Sequence, residues 1–97
     1  MKIKNIIKES INVINLQLNK KNKIVYKKNY YIFGIKSNLD SLIIVNLFLE
    51  IENKIKKVFK KKLNLIENIF DKKAGYNYTI NKLEIDIEKK LNIKKKI

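Results

Sequence analysis

Residues 38–52, with the sequence NLDSLIIVNLFLEIE, decide how this chain folds. A short polar turn leads into Asp40, whose carboxylate can accept from the free backbone N–H groups of a helix's first turn. Asp40 is therefore predicted to cap a helix, and Ser41 to be its first residue. The Ser41 hydroxyl would then lie at the positive end of the helix dipole, a favourable position for a phosphate.

The apolar residues that follow predict a helix from Asp40 to about Lys57. Five residues follow helical spacing: Leu42, Val45, Leu49, Ile55 and Phe59. Three more, Ile43, Ile44 and Leu47, widen the apolar surface beyond one stripe. A helix that is apolar on most sides near its start is either deeply buried or offers a hydrophobic patch to a partner. The sequence leaves both interpretations open.

The rest of the chain adds two main helices and one short one. The spacing of apolar residues predicts helices over Lys2–Leu18 and Ile66–Asp71, and from a Thr79 N-cap to about Lys90 or Leu91. Residues 19–38 are predicted to be a long connection anchored to the core by Tyr30, Tyr31 and Phe33, and Gly75 to end the short helix. Residues 11–13 and 83–87 also alternate as strands do.

These elements predict an all-α fold, a small four-helix bundle with three main helices and one short helix. The 97 residues are expected to form one domain, residues 1–97, with a basic tail from about residue 92. The chain has no Cys and no His, which excludes disulfides, zinc sites of the usual ligands, and thiol or imidazole catalysis. The apolar runs are too short for a membrane span and the N-terminus does not read as a signal peptide, so we expect a cytoplasmic protein.

The charge is strongly positive, because the chain has 23 basic and 9 acidic residues and a formal net charge of +14. A balance of this kind suggests nucleic acid or an anionic membrane as partner. Every basic residue is Lys, however, whereas base readout and bidentate phosphate contacts rely heavily on Arg. The chain is also rich in Ile and Asn, whose codons are AT-rich like those of Lys. We therefore weigh genome composition above nucleic-acid binding as the origin of the charge.

The segment around Ser41 resembles the modification-site segment of the acyl carrier protein family. The resemblance rests on Phe33-Gly34, Leu39-Asp40-Ser41-Leu42, Val45, Leu47 and Ile51-Glu52, and the predicted order of helices extends it over roughly residues 1–92. It implies that Ser41 receives 4′-phosphopantetheine from coenzyme A through a phosphopantetheinyl transferase. The arm's thiol would carry an acyl or aminoacyl group as a thioester. By the same resemblance, Asp40 helps orient the Mg²⁺-dependent transfer, and Leu42 contacts the base of the arm.

The resemblance also implies partners, and it implies a carrier rather than an enzyme. The partners would be the transferase, an acyl or aminoacyl ligase and downstream acyl-transferring enzymes, in fatty-acid-related or specialised biosynthesis. Carriers of this family usually show carboxylates on the second helix. Here the docking surface is expected to comprise Ile43, Ile44, Leu47 and Glu50, and its three apolar residues make it more hydrophobic than the family's. We expect a monomer that uses neither nucleic acid nor membrane. Two alternatives stay open: a basic helical module binding nucleic acid or anionic membrane through Lys54–Lys62 and the basic tail, and an unmodified carrier-like interaction domain.

Overall fold

The computed structural model describes residues 2–19, 23–73 and 76–92, and it is mostly helical. The helices are α1 (Ile3–Asn15), α2 (Ser41–Phe59), α3 (Asp71–Lys73) and α4 (Ile80–Lys90), with a π-helical turn, Ile66–Phe70, running directly into α3. Two short strands, β1 (Tyr31–Phe33) and β2 (Tyr78–Thr79), form an antiparallel pair. The prediction of a mainly helical fold is confirmed, but the all-α class is wrong in its detail because of this sheet.

Helix α1 buries one stripe of side chains against α2 and α4. The stripe consists of Ile3, Ile6, Ile7, Ser10, Ile11 and Ile14. The helix ends at Asn15, three residues before the predicted end at Leu18. The Asn15 amide explains this end: it donates to Ile24 O at 2.9 Å and accepts from Ile24 N–H at 2.8 Å, which ties the returning chain to the helix terminus.

Helix α2 is the longest element, with 19 residues, and its apolar side forms the centre of the core. Ile44, Leu47, Phe48, Ile51 and Ile55 are buried along it. The helix continues two residues beyond the predicted end at Lys57. It stops at Lys60, which takes a left-handed conformation (φ 58°) and donates its N–H to Lys56 O at 3.1 Å.

The sheet lies where the long connection was predicted. Tyr31 pairs with Thr79 and Phe33 with Tyr78, with an irregularity between the two pairs. The pairing continues into the start of α4, where Ile80 N–H donates to Tyr30 O at 3.0 Å. The long connection and the last helix are thereby joined by main-chain hydrogen bonds. No local sequence pattern predicts this link.

Four aromatic rings lie under the first half of α2. Phe33 stacks on Tyr78 with ring centroids 4.6 Å apart, and it meets Phe48 and Phe70 edge-on at 6.4 and 5.6 Å. The hydroxyl of Tyr78 donates to Asp86 Oδ2 at 2.6 Å. Burial, followed by the hydrogen bond to Asp86, raises the pKa of Tyr78 well above its usual range. The cluster joins both strands, α2, α4 and the π-helical turn.

The segment after α2 is held by a side chain of α2 itself. Glu52 accepts from Leu65 N–H at 2.8 Å, which positions the π-helical turn against the core. The predicted short helix over Ile66–Asp71 is confirmed as a helical segment, in the form of this turn followed by α3, and Ile69 is its buried residue. The predicted stop at Gly75 and the basic tail over residues 93–97 lie outside the described residues.

Helix α4 begins as predicted. Thr79 takes an extended conformation, and its side chain accepts from Lys82 N–H at 3.3 Å. Residues 83–87 are helical, so the strand alternative for this segment is wrong, and residues 11–13 are likewise helical. Ile80, Leu83 and Ile87 face the core at helical spacing.

Candidate functional site

The start of α2 has the geometry that its sequence predicts. Asp40 lies just outside the helix in an extended conformation (φ −79°, ψ 163°). Its Oδ1 accepts from Ile43 N–H at 3.0 Å, and its main-chain carbonyl accepts from Ile44 N–H at 3.2 Å. Ser41 is the first helical residue. The N-cap prediction for Asp40 is therefore confirmed, and it places the Ser41 hydroxyl at the positive end of the dipole.

The segment that leads to Ser41 is held in place by a turn after β1. Gly34 has φ +107°, which favours glycine, and its carbonyl accepts from Ser37 N–H at 3.1 Å. The Ser37 hydroxyl donates to Ile32 O at 2.7 Å and accepts from Leu39 N–H at 3.2 Å. Leu39 in turn packs on the core. Because each step is hydrogen-bonded or packed, Ser41 is displayed from a fixed position.

Ser41 differs from the other two serines of the chain. The side chain of Ser10 is fully buried and donates to Ile6 O at 2.8 Å, and the hydroxyl of Ser37 makes the two bonds of the turn. Ser41 is exposed, and its hydroxyl has no hydrogen-bond partner among the residues that the structure describes. It is therefore the serine hydroxyl most accessible to an external reagent.

The surroundings of Ser41 suit a phosphate ester. The N–H groups of Ser41 and Leu42 find no acceptor within residues 2–19, 23–73 and 76–92, as is usual in the first turn of a helix. The first turn contains no acidic residue, and Leu42 is 68% exposed beside the hydroxyl. The free N–H groups and the helix dipole both favour negative charge at Ser41, whereas the adjacent Asp40 carboxylate, which already accepts from Ile43 N–H, opposes it.

The predicted docking residues are not one surface. Ile44 and Leu47 are 3% and 0% exposed and belong to the core, so the expectation that they dock a partner is wrong. They lie in the core because the most continuous apolar side of α2 is the side that packs against the rest of the protein. Ile43 is half-buried against the same core. Glu50 is half-buried and pairs with Lys54 at 3.3 Å, an i,i+4 ion pair along the helix.

A second feature near the site is a groove that sequence reasoning missed. The loop before β1 and the turn after it enclose about 270 Å³. Its lining consists of Lys27, Asn29, Tyr30, Tyr31, Lys36 and Asn38. The ammonium of Lys36 lies 5.5 Å from the centre of the Tyr31 ring, a cation–π distance. Tyr30 is half-buried against the core, where burial raises its pKa, and Phe33 belongs to the core, so the prediction that these two residues anchor the loop is confirmed. Tyr31 is half-buried but is not among the residues that pack on the core.

Three further findings concern the kind of functional site in this chain. Over the described part of the chain, no group of three or more Asp and Glu side chains is arranged to hold a metal ion. No helix within those same ranges has the length and hydrophobicity needed to cross a membrane. Searches against protein-family models, curated proteins and solved structures found no match.

Proposed function

We propose that this chain is a carrier protein, which holds an acyl or aminoacyl group as a thioester on a 4′-phosphopantetheine arm attached to Ser41. The observation that carries the proposal is the exposed Ser41 hydroxyl at the first position of the 19-residue helix α2, capped by Asp40. The proposed fold relation is to the small helical bundle of the acyl carrier protein family, with the β1–β2 pair as an addition. The proposed location is the cytoplasm.

The residues at the site fit the arm. The phosphate would meet the free N–H groups of Ser41 and Leu42, and the neighbouring Asp40 carboxylate is engaged by Ile43 N–H. Leu42 is exposed next to Ser41 and offers an apolar contact to the base of the arm. When bound, the arm supplies the thiol that the sequence lacks, since the chain has no Cys.

Attachment needs a second protein, because the site has no base of its own. The carboxylate of Asp40 caps the helix through Ile43 N–H, and no described side chain hydrogen-bonds the Ser41 hydroxyl. In the proposed transfer, Ser41 Oγ forms a bond to the phosphorus that bears the pantetheine in coenzyme A. The bond from that phosphorus to the nucleotide breaks, 3′,5′-ADP leaves, and the hydroxyl proton passes to a base of the transferase.

The family resemblance supplies the remaining roles within this proposal. Asp40 would help to orient the Mg²⁺ used in the transfer, and its exposed position leaves the carboxylate accessible to a bound transferase. A ligase would load the arm, and acyl-transferring enzymes would unload it. The chain itself would act as a monomeric, non-catalytic carrier that its partner enzymes recognise.

Intact mass measurement tests the proposal. The protein is incubated with coenzyme A, Mg²⁺ and phosphopantetheinyl transferases, both a broad-specificity enzyme and that of the source organism. We expect the mass of one phosphopantetheine to be added to the wild type and to the Ser10→Ala and Ser37→Ala variants, but not to Ser41→Ala. An unchanged mass with every transferase, or an adduct that persists in Ser41→Ala, would overturn the proposal.

A further inference from the structure

The second half of α2 carries a basic groove, which is distinct from the attachment site. It is an open space of about 650 Å³, bordered by side chains of α2 and of its C-cap residue Lys60. Its lining, here called the lysine groove, consists of Glu50, Asn53, Lys54, Lys56, Lys57 and Lys60. Four of these six residues are cationic at neutral pH and one is anionic, so the groove has a net positive charge.

Most of this charge is not neutralised by any side chain that the structure describes. Glu50 pairs with Lys54 at 3.3 Å. The other three lysines of the groove are exposed and make no ion pair with any residue in the described ranges. The helix dipole accounts for Lys56 and Lys57, which lie in the last turn. Lys60, the C-cap residue, lies in the same favourable field. The dipole does not neutralise these ammonium groups, however, and like charges so close together repel one another.

The lysine groove continues into an apolar surface toward the start of the helix. One outward row of α2 runs at steps of four and three residues through Leu42, Asn46, Leu49, Asn53 and Lys56, and Lys60 follows it at the C-cap. Leu42 and Leu49 are 68% and 44% exposed, large fractions for leucine side chains on a folded domain. The row therefore presents apolar contact area at one end and positive charge at the other, which is the mixed character of a protein–protein interface.

We infer that the outward row of α2, with the lysine groove at its end, docks a protein that presents an acidic patch. Carboxylates of the partner would pair with Lys56, Lys57 and Lys60, while an apolar contact would cover Leu49. This charge complementarity would speed association and set the orientation of the partner. The inference goes beyond the attachment of an arm, because it holds whether or not Ser41 is modified.

Two other polyanionic partners fit the surface less well. An amphipathic helix that binds a membrane must bury its apolar face among the lipids, and the apolar face of α2 is already covered by the core. Nucleic-acid interfaces are strongly positive and polar, and they rely on Arg for bidentate phosphate contacts. The outward row has two exposed leucines, and the chain has no Arg.

Site-specific photo-crosslinking in cells of the source organism tests the inference. A benzophenone amino acid replaces Asn53 in the groove or, as the control, the exposed Asn12 on α1. The partner and its crosslinked peptide are identified by mass spectrometry. Each probe is combined with three sets of substitutions. The first set changes Lys56, Lys57 and Lys60 to Gln, and the second changes the same three lysines to Arg. The third set, a matched control, changes Lys4, Lys28 and Lys82 to Gln. Helix content and thermal midpoint verify that each variant folds.

We expect one protein to crosslink at Asn53 and not at Asn12, through a peptide rich in Asp and Glu. The Gln set in the groove should lower the yield about tenfold, whereas the Arg set and the distant Gln set should leave it nearly unchanged. Crosslinks to nucleic acid or lipid would overturn the inference. So would the absence of a crosslink, a peptide without carboxylates, or an equal loss in the distant Gln set.

The Ser41→Ala background separates this inference from the proposed function. Docking is expected to persist there, although no arm can be attached. A crosslink without any pantetheine on the wild-type protein would leave the docking surface standing and remove the carrier function. Pantetheine on Ser41 with no crosslink at Asn53 would support the carrier function and overturn the docking inference.

Discussion

The first half of α2 has two faces that differ in nearly every respect. On the inner face, Ile44, Leu47 and Phe48 are buried, and the ring of Phe48 meets Phe33 in the aromatic cluster. On the outer face, Ser41 and Leu42 are exposed. The inner face contributes to the stability of the fold through buried area and close packing. The outer face contributes little to stability, and it is therefore free to be modified or bound.

The largest expected effect comes from the inner face. Replacing Phe48 by Ala should lower the free energy of unfolding by about 3–5 kcal/mol, because it leaves a cavity beside Phe33 and Phe70. Urea denaturation followed by circular dichroism measures the loss. The adjacent outward residue provides the control: Leu49→Ala, at 44% exposure, should cost far less. Equal losses in the two variants would contradict the division into faces.

The next effect tests the turn that leads to the site. An Ala at Gly34 would place its Cβ 2.6 Å from Asn77 Cα and from Tyr76 O, at a φ of +107°. We expect Gly34→Ala to cost at least about 1–3 kcal/mol, since backbone strain of this kind is not relieved by rotating a side chain. The same denaturation experiment with Ile35→Ala, at a position 92% exposed, is the control and should change stability little. A fully stable Gly34→Ala would show that the turn is not braced as described.

A smaller effect is expected at the boundary between the faces. Asp40→Ala removes the acceptor of Ile43 N–H and should lower stability by about 1 kcal/mol. Asp40→Asn keeps a capping oxygen and should retain most of that stability. Within the proposed function it should still slow attachment of the arm, because it removes the charge. Thermal unfolding and the rate of mass increase with coenzyme A distinguish these two roles. Equal stability of the Ala and Asn variants would argue against the cap.

The smallest effect on stability is expected at Ser41 itself. Its side chain is exposed and has no hydrogen-bond partner in the described part of the chain, so Ser41→Ala should change the free energy of unfolding by less than about 0.5 kcal/mol. The variant should nevertheless abolish attachment of the arm. Denaturation and intact mass, measured on the same preparation, check both halves of this prediction. A substantial loss of stability would mean that Ser41 has a structural role.

The helices and their caps could be predicted because their determinants are local. The apolar spacing of α1, α2 and α4 and the capping side chains of Asp40 and Thr79 all lie within the segments that they organise. The position of Ser41 follows from the cap alone. The start of the candidate site was therefore readable from the sequence.

The remaining features depend on residues far apart in the chain. Strand β1 has three residues and pairs with a segment more than forty residues later, so no alternation marks it. The apolar surface of α2 extends around much of its first half, and spacing alone could not separate the buried Ile44 and Leu47 from the exposed Leu42. Only the packing of α1 and the aromatic cluster decides which side of the helix faces inward.

The central claim is the attachment of an arm at Ser41, and the mass of the protein purified from its own cells tests it most directly. Fragmentation of the peptide that contains Asp40, Ser41 and Leu42 locates any added group. The account predicts that a substantial share of the molecules carries phosphopantetheine on Ser41. Unmodified Ser41 in all molecules, purified from cells that modify other carriers, would contradict it.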